Sequence, residues 1–178
     1  FVDYAKAHPG LKYGTAGVGS IGQFTVEMFR LAAGIDVRHI PYDGSMAALG
    51  AMMSGETFFT MDPVVYGQGD PDKINILAVL ADRRYPGLPD VPTAKERGFD
   101  AGITGWFGVL APAGIPDEAR RKMSDALKAL SEQSDYQERV KKMGLVPFFR
   151  DDAALDAQIE TDLKVFADLR DKAGIPRR

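Results

Sequence analysis

The sequence has no cysteine and only two histidines, and these shortages exclude several kinds of site. Without cysteine the chain has no disulfide framework, no thiolate metal site and no cysteine nucleophile. The two histidines, His8 and His39, lie far apart in the chain and form a poor set of zinc ligands. We therefore expect no metal site, no cofactor and no catalytic group based on these residues.

An excess of charge and long apolar runs are also missing. The formal net charge is −3, with both signs dispersed along the 178 residues, so no basic face is expected for nucleic acid. No apolar run approaches the roughly 20 residues that a membrane-spanning helix needs, so we expect a chain that is not embedded in a membrane. The chain begins at Phe1 without an initiator methionine or a signal peptide, from which we expect that a leader or a whole preceding segment is missing from this sequence.

Glycine is abundant in one segment, which runs from Gly14 to Gly22 and reads Gly-Thr-Ala-Gly-Val-Gly-Ser-Ile-Gly. The apolar spacing after it predicts a helix, with Ser20 as its N-cap and Gly34 at its end. Glycines allow backbone N–H groups to converge and approach a ligand closely, and the helix places a positive dipole end behind them. The segment therefore predicts an anion-binding loop.

Short extended segments alternate with helical periodicity up to about residue 110, which favours an α/β fold with a mostly parallel sheet. We expect strands at residues 11–13, 37–40, 57–61, 74–80, 106–110 and 145–149. From Pro116 onward helices dominate. The first of them carries an apolar stripe made of Ala119, Met123, Ala126, Leu127 and Leu130. Capping boxes are predicted at residues 93–96 and 134–137, and the last helix begins near Asp151 or Asp152.

The glycine segment has two other interpretations, a dinucleotide-binding loop and a hydrolase nucleophile. Gly17, Gly19 and Gly22 match the dinucleotide-binding fingerprint, and Asp43 follows at the end of the next strand, so an NAD-type domain is the alternative. The first strand is short and polar for a central strand of that fold. Ser20 as a hydrolase nucleophile is less favoured than Ser20 as a helix cap, because position 18 is valine where a nucleophile elbow has glycine.

Several segments together resemble the Bug proteins, the TctC family of solute-binding receptors of tripartite tricarboxylate transporters. They occur in the order and spacing of that family, and the resemblance runs from about Phe1 to Pro176. The segments are Thr15-Ala-Gly-Val-Gly-Ser20, His39-Ile-Pro-Tyr42 with Gly44, residues 55–62, Leu88-Pro-Asp-Val-Pro-Thr93, and Trp106-Phe-Gly-Val-Leu-Ala-Pro-Ala-Gly114.

The resemblance implies a type II periplasmic-binding-protein fold, with two α/β lobes joined by crossing strands. It further implies that residues 5–102 form most of the second lobe and carry the glycine loop. Residues 103–178 correspond to the returning part of the first lobe, which is incomplete because its N-terminal half is missing. Such a remnant is expected to expose apolar faces that another segment or another copy covers.

The resemblance also implies a periplasmic receptor without enzymatic activity. Its ligand is a small organic carboxylate, such as a di- or tricarboxylate, and its partners are the membrane components of the transporter. The cleft positions that match the family are Thr15, Ala16, Gly17, Val18, Gly19, Ser20, Tyr42 and Asp62. Asp43 departs from the family, where lysine is frequent, and it adds a negative charge near the expected anion site.

Overall fold

The computed structural model describes residues 1–103 and 105–176, with the side chains of Val64 and Gln68 left aside. Its helices and strands are α1 (Val2–Ala7), β1 (Leu11–Thr15), α2 (Ile21–Ala33), β2 (Val37–Pro41), α3 (Ser45–Met53), α4 (Val64–Gln68), a 3₁₀ turn (Lys95–Arg97), α5 (Asp117–Ser131), α6 (Ser134–Lys142) and α7 (Asp152–Ala173). The first part of the chain alternates strands and helices, and the last part is helical. Helical and parallel-strand content of this kind is that of an α/β protein.

The sheet has β1 at its centre. β2 pairs with β1 in parallel, with Tyr13 opposite His39 and Thr15 opposite Pro41. On the other side of β1, Phe59 forms a parallel bridge with Tyr13. The Phe58 N–H donates to the carbonyl of Lys12 at 2.8 Å, and the Gly14 N–H donates to the carbonyl of Phe59 at 3.1 Å. The chain around Phe59 therefore lies beside β1 as a short third extended segment of the sheet.

Four of the predicted strands do not form continuous ladders among the described residues. Residues 57–61 contribute the single bridge at Phe59, and residues 74–80 contribute one bridge between Val79 and Thr93. Residues 106–110 and 145–149 contain no strand. An apolar segment becomes a strand only when a neighbouring backbone supplies hydrogen bonds, and these segments lack such a neighbour in the described chain.

The core lies between α2 and the sheet. One cluster joins Ala5 of α1, Phe29 and Ala33 of α2, and Ile35 just after α2. Ala101, much later in the chain, belongs to the same cluster. A second cluster packs α2 against the sheet through Tyr13, Val26 and Phe59. α2 is closed at its end by Gly34, which adopts the left-handed conformation, as predicted.

The C-terminal helices bury much less. Neither α5 nor α6 has a buried residue, and the predicted α5 stripe is exposed at Met123 and Leu130. α7 begins at Asp152, where the sequence predicts its start, and the side chain of its N-cap Asp151 accepts from the Ala154 N–H. α7 packs against α2, where the rings of Phe24 and Phe166 lie 5.0 Å apart, and its Asp162 accepts from the indole N–H of Trp106 at 2.7 Å.

The two predicted capping boxes differ in outcome. At the first, Thr93 Oγ1 accepts from the Glu96 N–H at 3.1 Å, but the Glu96 carboxylate pairs with Arg84 rather than with the backbone of Thr93. At the second, the prediction is wrong. Gln133, not Ser134, is the N-cap of α6 and makes no side-chain capping bond, and the side chain of Gln137 donates to the carbonyl of Ser131 at 2.9 Å.

Candidate functional site

The glycine segment forms the loop between β1 and α2, hereafter the β1–α2 loop (Ala16 to Ser20). Ser20 is the N-cap of α2, and its hydroxyl accepts from the Gln23 N–H at 3.3 Å. Gly17 and Gly19 have φ of 128° and 74°. Residues with a side chain are strained at such angles, so glycine at both positions gives the loop its path. The prediction of a helix cap at Ser20 is confirmed.

Backbone N–H groups of the loop divide into two sets. Three of them already have acceptors within the protein, since Gly17 donates to Thr15 Oγ1 at 3.3 Å, Gly19 donates to Gln23 Oε1 at 2.7 Å and Ser20 donates to the carbonyl of Gly17 at 3.3 Å. Gln23 is buried, which holds its acceptor in place. The glycines therefore shape the loop, and their own N–H groups are engaged.

The second set consists of N–H groups without a protein acceptor in the described part of the chain. These are the N–H groups of Ala16, Val18, Ile21 and Gly22. Ile21 and Gly22 are the first two residues of the 13-residue helix α2, where intrahelical acceptors do not exist. Donors of this kind, together with the positive end of a helix, are suited to an anion.

The other two predicted cleft residues adjoin this loop from β2 and α3. The Tyr42 N–H donates to the carbonyl of Thr15 at 3.0 Å. Its ring lies over Gly14, where an added Cβ would be 3.2 Å from Tyr42 Cε2, and its hydroxyl donates to Glu56 at 2.8 Å. Burial, and then the Glu56 carboxylate, raise the pKa of the Tyr42 hydroxyl. Tyr42 is thus fixed between β1 and Glu56.

Asp62 lies where the chain leaves the sheet after Phe59. Its carboxylate accepts from the hydroxyl of Ser45, the first residue of α3, at 2.6 Å. The preceding carbonyl, that of Met61, would lie 3.4 Å from a Cβ added at Gly22. The structure therefore brings the start of α2, the start of α3 and the chain at Asp62 to the same end of the sheet.

His39 contacts the β1–α2 loop but is not among the cleft positions expected from the sequence. His39 Nε2 lies 2.6 Å from Thr15 Oγ1, and Thr15 also bonds to both the N–H and the carbonyl of Gly17. Burial lowers the pKa of His39, against an opposing effect of the Glu27 charge. His39 lies in the His-Ile-Pro-Tyr segment, two residues before the end of β2, and this position is a signal that could have indicated its contact with the loop.

A buried polar network connects β1 to α2. The Tyr13 hydroxyl donates to Glu27 Oε1 at 2.7 Å, and Arg30 Nε donates to Glu27 Oε2 at 2.5 Å. Burial, followed by the bond to Glu27, raises the pKa of the Tyr13 hydroxyl. Tyr13 also stacks on His39, with ring centroids 5.0 Å apart. Side-chain contacts of Tyr13 therefore connect β1 to both α2 and β2, the elements next to the loop.

Within residues 1–103 and 105–176, no group of three or more His, Cys, Asp or Glu side chains is arranged to hold a metal ion. Over the same residues, no helix is both long enough and apolar enough to cross a bilayer.

A family model for the tripartite tricarboxylate transporter family receptor, TctC, matches residues 1–174. Among curated proteins, the UPF0065 protein in the gbd 5′ region of Cupriavidus necator is 30% identical over 151 residues, which cover 84% of this chain and 46% of that protein. BugT of Bordetella pertussis is 31% identical over 132 residues, covering 70% of this chain and 40% of its own. The chain thus spans about half the length of the curated relatives it matches.

Solved structures with the same fold cover almost the whole chain. Rpa4515 of R. palustris with adipate has a TM-score of 0.90 at 26% identity, and the match covers 98% of this chain and 60% of that one. The periplasmic binding protein BugD has a TM-score of 0.87 at 26% identity, with 99% and 61% covered. MatC of Rhodopseudomonas palustris, with bound malate, has a TM-score of 0.81 at 26% identity, with 95% and 60% covered. The predicted periplasmic-binding-protein fold is therefore confirmed.

Proposed function

We propose, from the premise that this chain belongs to the TctC family of tripartite tricarboxylate transporter receptors, that it captures a small organic carboxylate outside the cytoplasm. In the fuller form of the proposal, the protein works in the periplasm and delivers its ligand to the membrane components of such a transporter. It binds and releases the ligand without making or breaking bonds.

The observation that carries the proposal is the set of N–H groups at the β1–α2 loop. Ala16 and Val18 in the loop, and Ile21 and Gly22 at the start of α2, offer donors that no described protein group accepts. Such donors fit a carboxylate, and the dipole of one helix end contributes roughly 0.3–1 kcal/mol. Adipate in Rpa4515 and malate in MatC, both carboxylates, support the same ligand class.

The roles of the predicted site residues can be proposed more finely. Ala16 and Val18 donate to the ligand through their backbone, whereas Gly17 and Gly19 give the loop its path and Ser20 caps the helix. Thr15 holds the loop from below. Tyr42 and Asp62 form the flanks of the cleft, where their side chains discriminate between carboxylates. Asp62 carries an acceptor already oriented by Ser45, which favours a ligand with a hydroxyl or another donor near its carboxylate.

We propose that residues 5–102 form most of the second lobe and that residues 103–178 form the returning part of the first lobe. The support for this division is the exposure of large apolar side chains in the second segment, such as Phe107 and Leu110, which are 87% and 75% exposed. The solved relatives contain roughly a further two-fifths of chain beyond the matched part. We propose that the corresponding polypeptide covers this apolar surface and completes the first lobe and the cleft.

A ligand panel tests the proposal on the complete natural polypeptide that carries residues 1–178. Adipate, malate, other dicarboxylates and NAD are added separately, and the melting temperature is recorded. A rise with one or more carboxylates and none with NAD is expected, because bound ligand stabilises the folded state. A rise with NAD alone would favour the dinucleotide alternative, and no response to any carboxylate would contradict carboxylate capture.

A further inference from the structure

Thr15 stands at a point where three hydrogen bonds meet. It is 1% exposed, at the end of β1, and its hydroxyl oxygen contacts three partners. The Gly17 N–H lies 3.3 Å away, the Gly17 carbonyl lies 3.1 Å away, and His39 Nε2 lies 2.6 Å away. Since a hydroxyl has one hydrogen and two lone pairs, it can satisfy all three partners in only one arrangement.

That arrangement follows from counting protons. The Gly17 N–H can only donate and the Gly17 carbonyl can only accept, so the Thr15 hydrogen is needed for the carbonyl. The third partner must then donate, which requires a hydrogen on His39 Nε2. If the hydrogen sat on Nδ1 instead, Nε2 would be an acceptor and would take the Thr15 hydrogen, and the Gly17 carbonyl would lose that bond.

We propose that His39 is a positioning residue for the β1–α2 loop. By carrying its hydrogen on Nε2, it turns the Thr15 hydroxyl toward the Gly17 carbonyl and so fixes the loop conformation. The consequence for ligand capture rests on the proposed function, because the donors of Ala16 and Val18 belong to this loop. The effect of His39 on the loop conformation is independent of the proposed function.

The surroundings keep His39 in place and set its charge. Its ring is stacked on that of Tyr13, which is its register partner on β1. The charged and titratable groups described around it are Tyr13 on β1 and Glu27 on α2, and the Glu27 charge is paired with Arg30 on the same helix. Burial lowers the pKa of His39, which favours a neutral ring at neutral pH. A neutral ring has one hydrogen, and its place decides the direction of the Thr15 bond.

The first test needs no substitution in the loop. The ring nitrogens of His39 are observed by ¹⁵N NMR, and the variant His8→Gln assigns the signal, because the chain has only two histidines. The expected result is a neutral ring with its hydrogen on Nε2. A ring with its hydrogen on Nδ1 would overturn the proposal.

The second test compares His39→Gln, His39→Leu, Thr15→Val and the double variant His39→Leu/Thr15→Val. The readout is hydrogen exchange at the Gly17 amide, with near-UV circular dichroism to confirm folding. His39→Leu should speed the exchange roughly tenfold, whereas His39→Gln, whose amide can donate from a similar position, should largely restore protection. Adding His39→Leu to Thr15→Val should change little further. Equal loss in the Gln and Leu variants, or additive losses in the double variant, would contradict action through Thr15.

The affinity for adipate and malate is measured with the same variants in the complete polypeptide. Weaker binding in His39→Leu than in His39→Gln supports the link between loop position and capture. If neither carboxylate binds while the NMR results are as expected, the proposed function fails and the positioning role of His39 stands.

Discussion

Residues 1–102 and residues 105–176 differ in how they bury apolar side chains. In the first segment, Tyr13, Val26 and Leu49 are completely buried within or beside the sheet. In the described part of the second segment, the buried hydrophobic residues are Leu169, which lines a cavity together with residues of α2, and Ile175. The second segment instead exposes large side chains along its whole length, among them Phe107, Met143 and Leu163.

The difference shows that strands, unlike helices, form only beside another segment of backbone. Helices α5, α6 and α7 satisfy their own backbone groups and form even where their apolar faces are exposed. Residues 106–110 and 145–149 are apolar and extended in sequence pattern, yet they do not become strands in the described chain. A strand requires a neighbouring backbone, and the matched part covers only 60% of the chain of Rpa4515.

The largest expected effect comes from a matched pair of leucines. Leu49 on α3 is 0% exposed and Leu163 on α7 is 64% exposed. Leu49→Ala should lower the free energy of unfolding of the 178-residue chain by about 2–5 kcal/mol, because it leaves a cavity in a packed core. Leu163→Ala should change it by no more than about 0.5 kcal/mol. Urea unfolding measures both, and equal losses would show that the second segment also has a tight core.

The next effect concerns the loop itself. Gly17→Val places a branched side chain at a φ of 128°, which should cost roughly 1–3 kcal/mol and displace the loop donors. Ser20→Ala removes only the cap and should cost about 1 kcal/mol. Carboxylate affinity should therefore fall more in Gly17→Val than in Ser20→Ala. Calorimetric titration of the complete polypeptide checks this order, and equal losses would mean that the loop path does not control binding.

A smaller effect separates an observed cap from a predicted one. Asp151→Ala removes the side chain that accepts from Ala154 and should destabilise α7 by about 1 kcal/mol. Ser134→Ala should be close to neutral, since no capping bond is made by that side chain at the start of α6. Thermal unfolding of the two variants gives the comparison. A loss in Ser134→Ala as large as that in Asp151→Ala would restore the capping box that the sequence predicts.

The smallest expected effect is a dependence on pH. Burial lowers the pKa of His39 below its ordinary value of 6.5, so the unfolded chain takes up this proton more readily than the folded chain. The contribution of neutral His39 to stability is therefore complete above that value and falls as the pH drops below it. The stability difference between wild type and His39→Gln should shrink from pH ~7.5 to ~5.5 in urea unfolding experiments. A constant difference would show that His39 does not titrate in this range, and His8→Gln, at an exposed site, serves as the control.

Sequence reasoning succeeds at the β1–α2 loop because the determinants are local. The cap at Ser20, the left-handed Gly34 and the glycines at positions 17 and 19 all follow from neighbours in the chain. It could not show that the Gly19 N–H is taken by the buried side chain of Gln23, because that bond depends on a rotamer four residues away. The pattern located the loop but did not show which of its N–H groups are already engaged within the protein.

The contact between His39 and Thr15 could not be predicted for a different reason. These residues are 24 positions apart, and they meet because β2 pairs with β1 in a particular register. A shift of one residue would turn His39 to the other face of the sheet. The four predicted strands that do not form continuous ladders have the same origin, since strand formation depends on partners that are remote in sequence or absent from the described residues.

The central claim is that the N–H groups of the β1–α2 loop and the start of α2, which have no acceptor in the described part of the protein, bind a carboxylate. A residue-resolved titration tests it most directly. The complete polypeptide is labelled with ¹⁵N, and the amide signals of Ala16, Val18, Ile21 and Gly22 are followed as adipate or malate is added. Saturable shifts of these four signals, absent when NAD is added, are the predicted result. Saturable carboxylate binding that leaves all four signals unmoved would contradict the account.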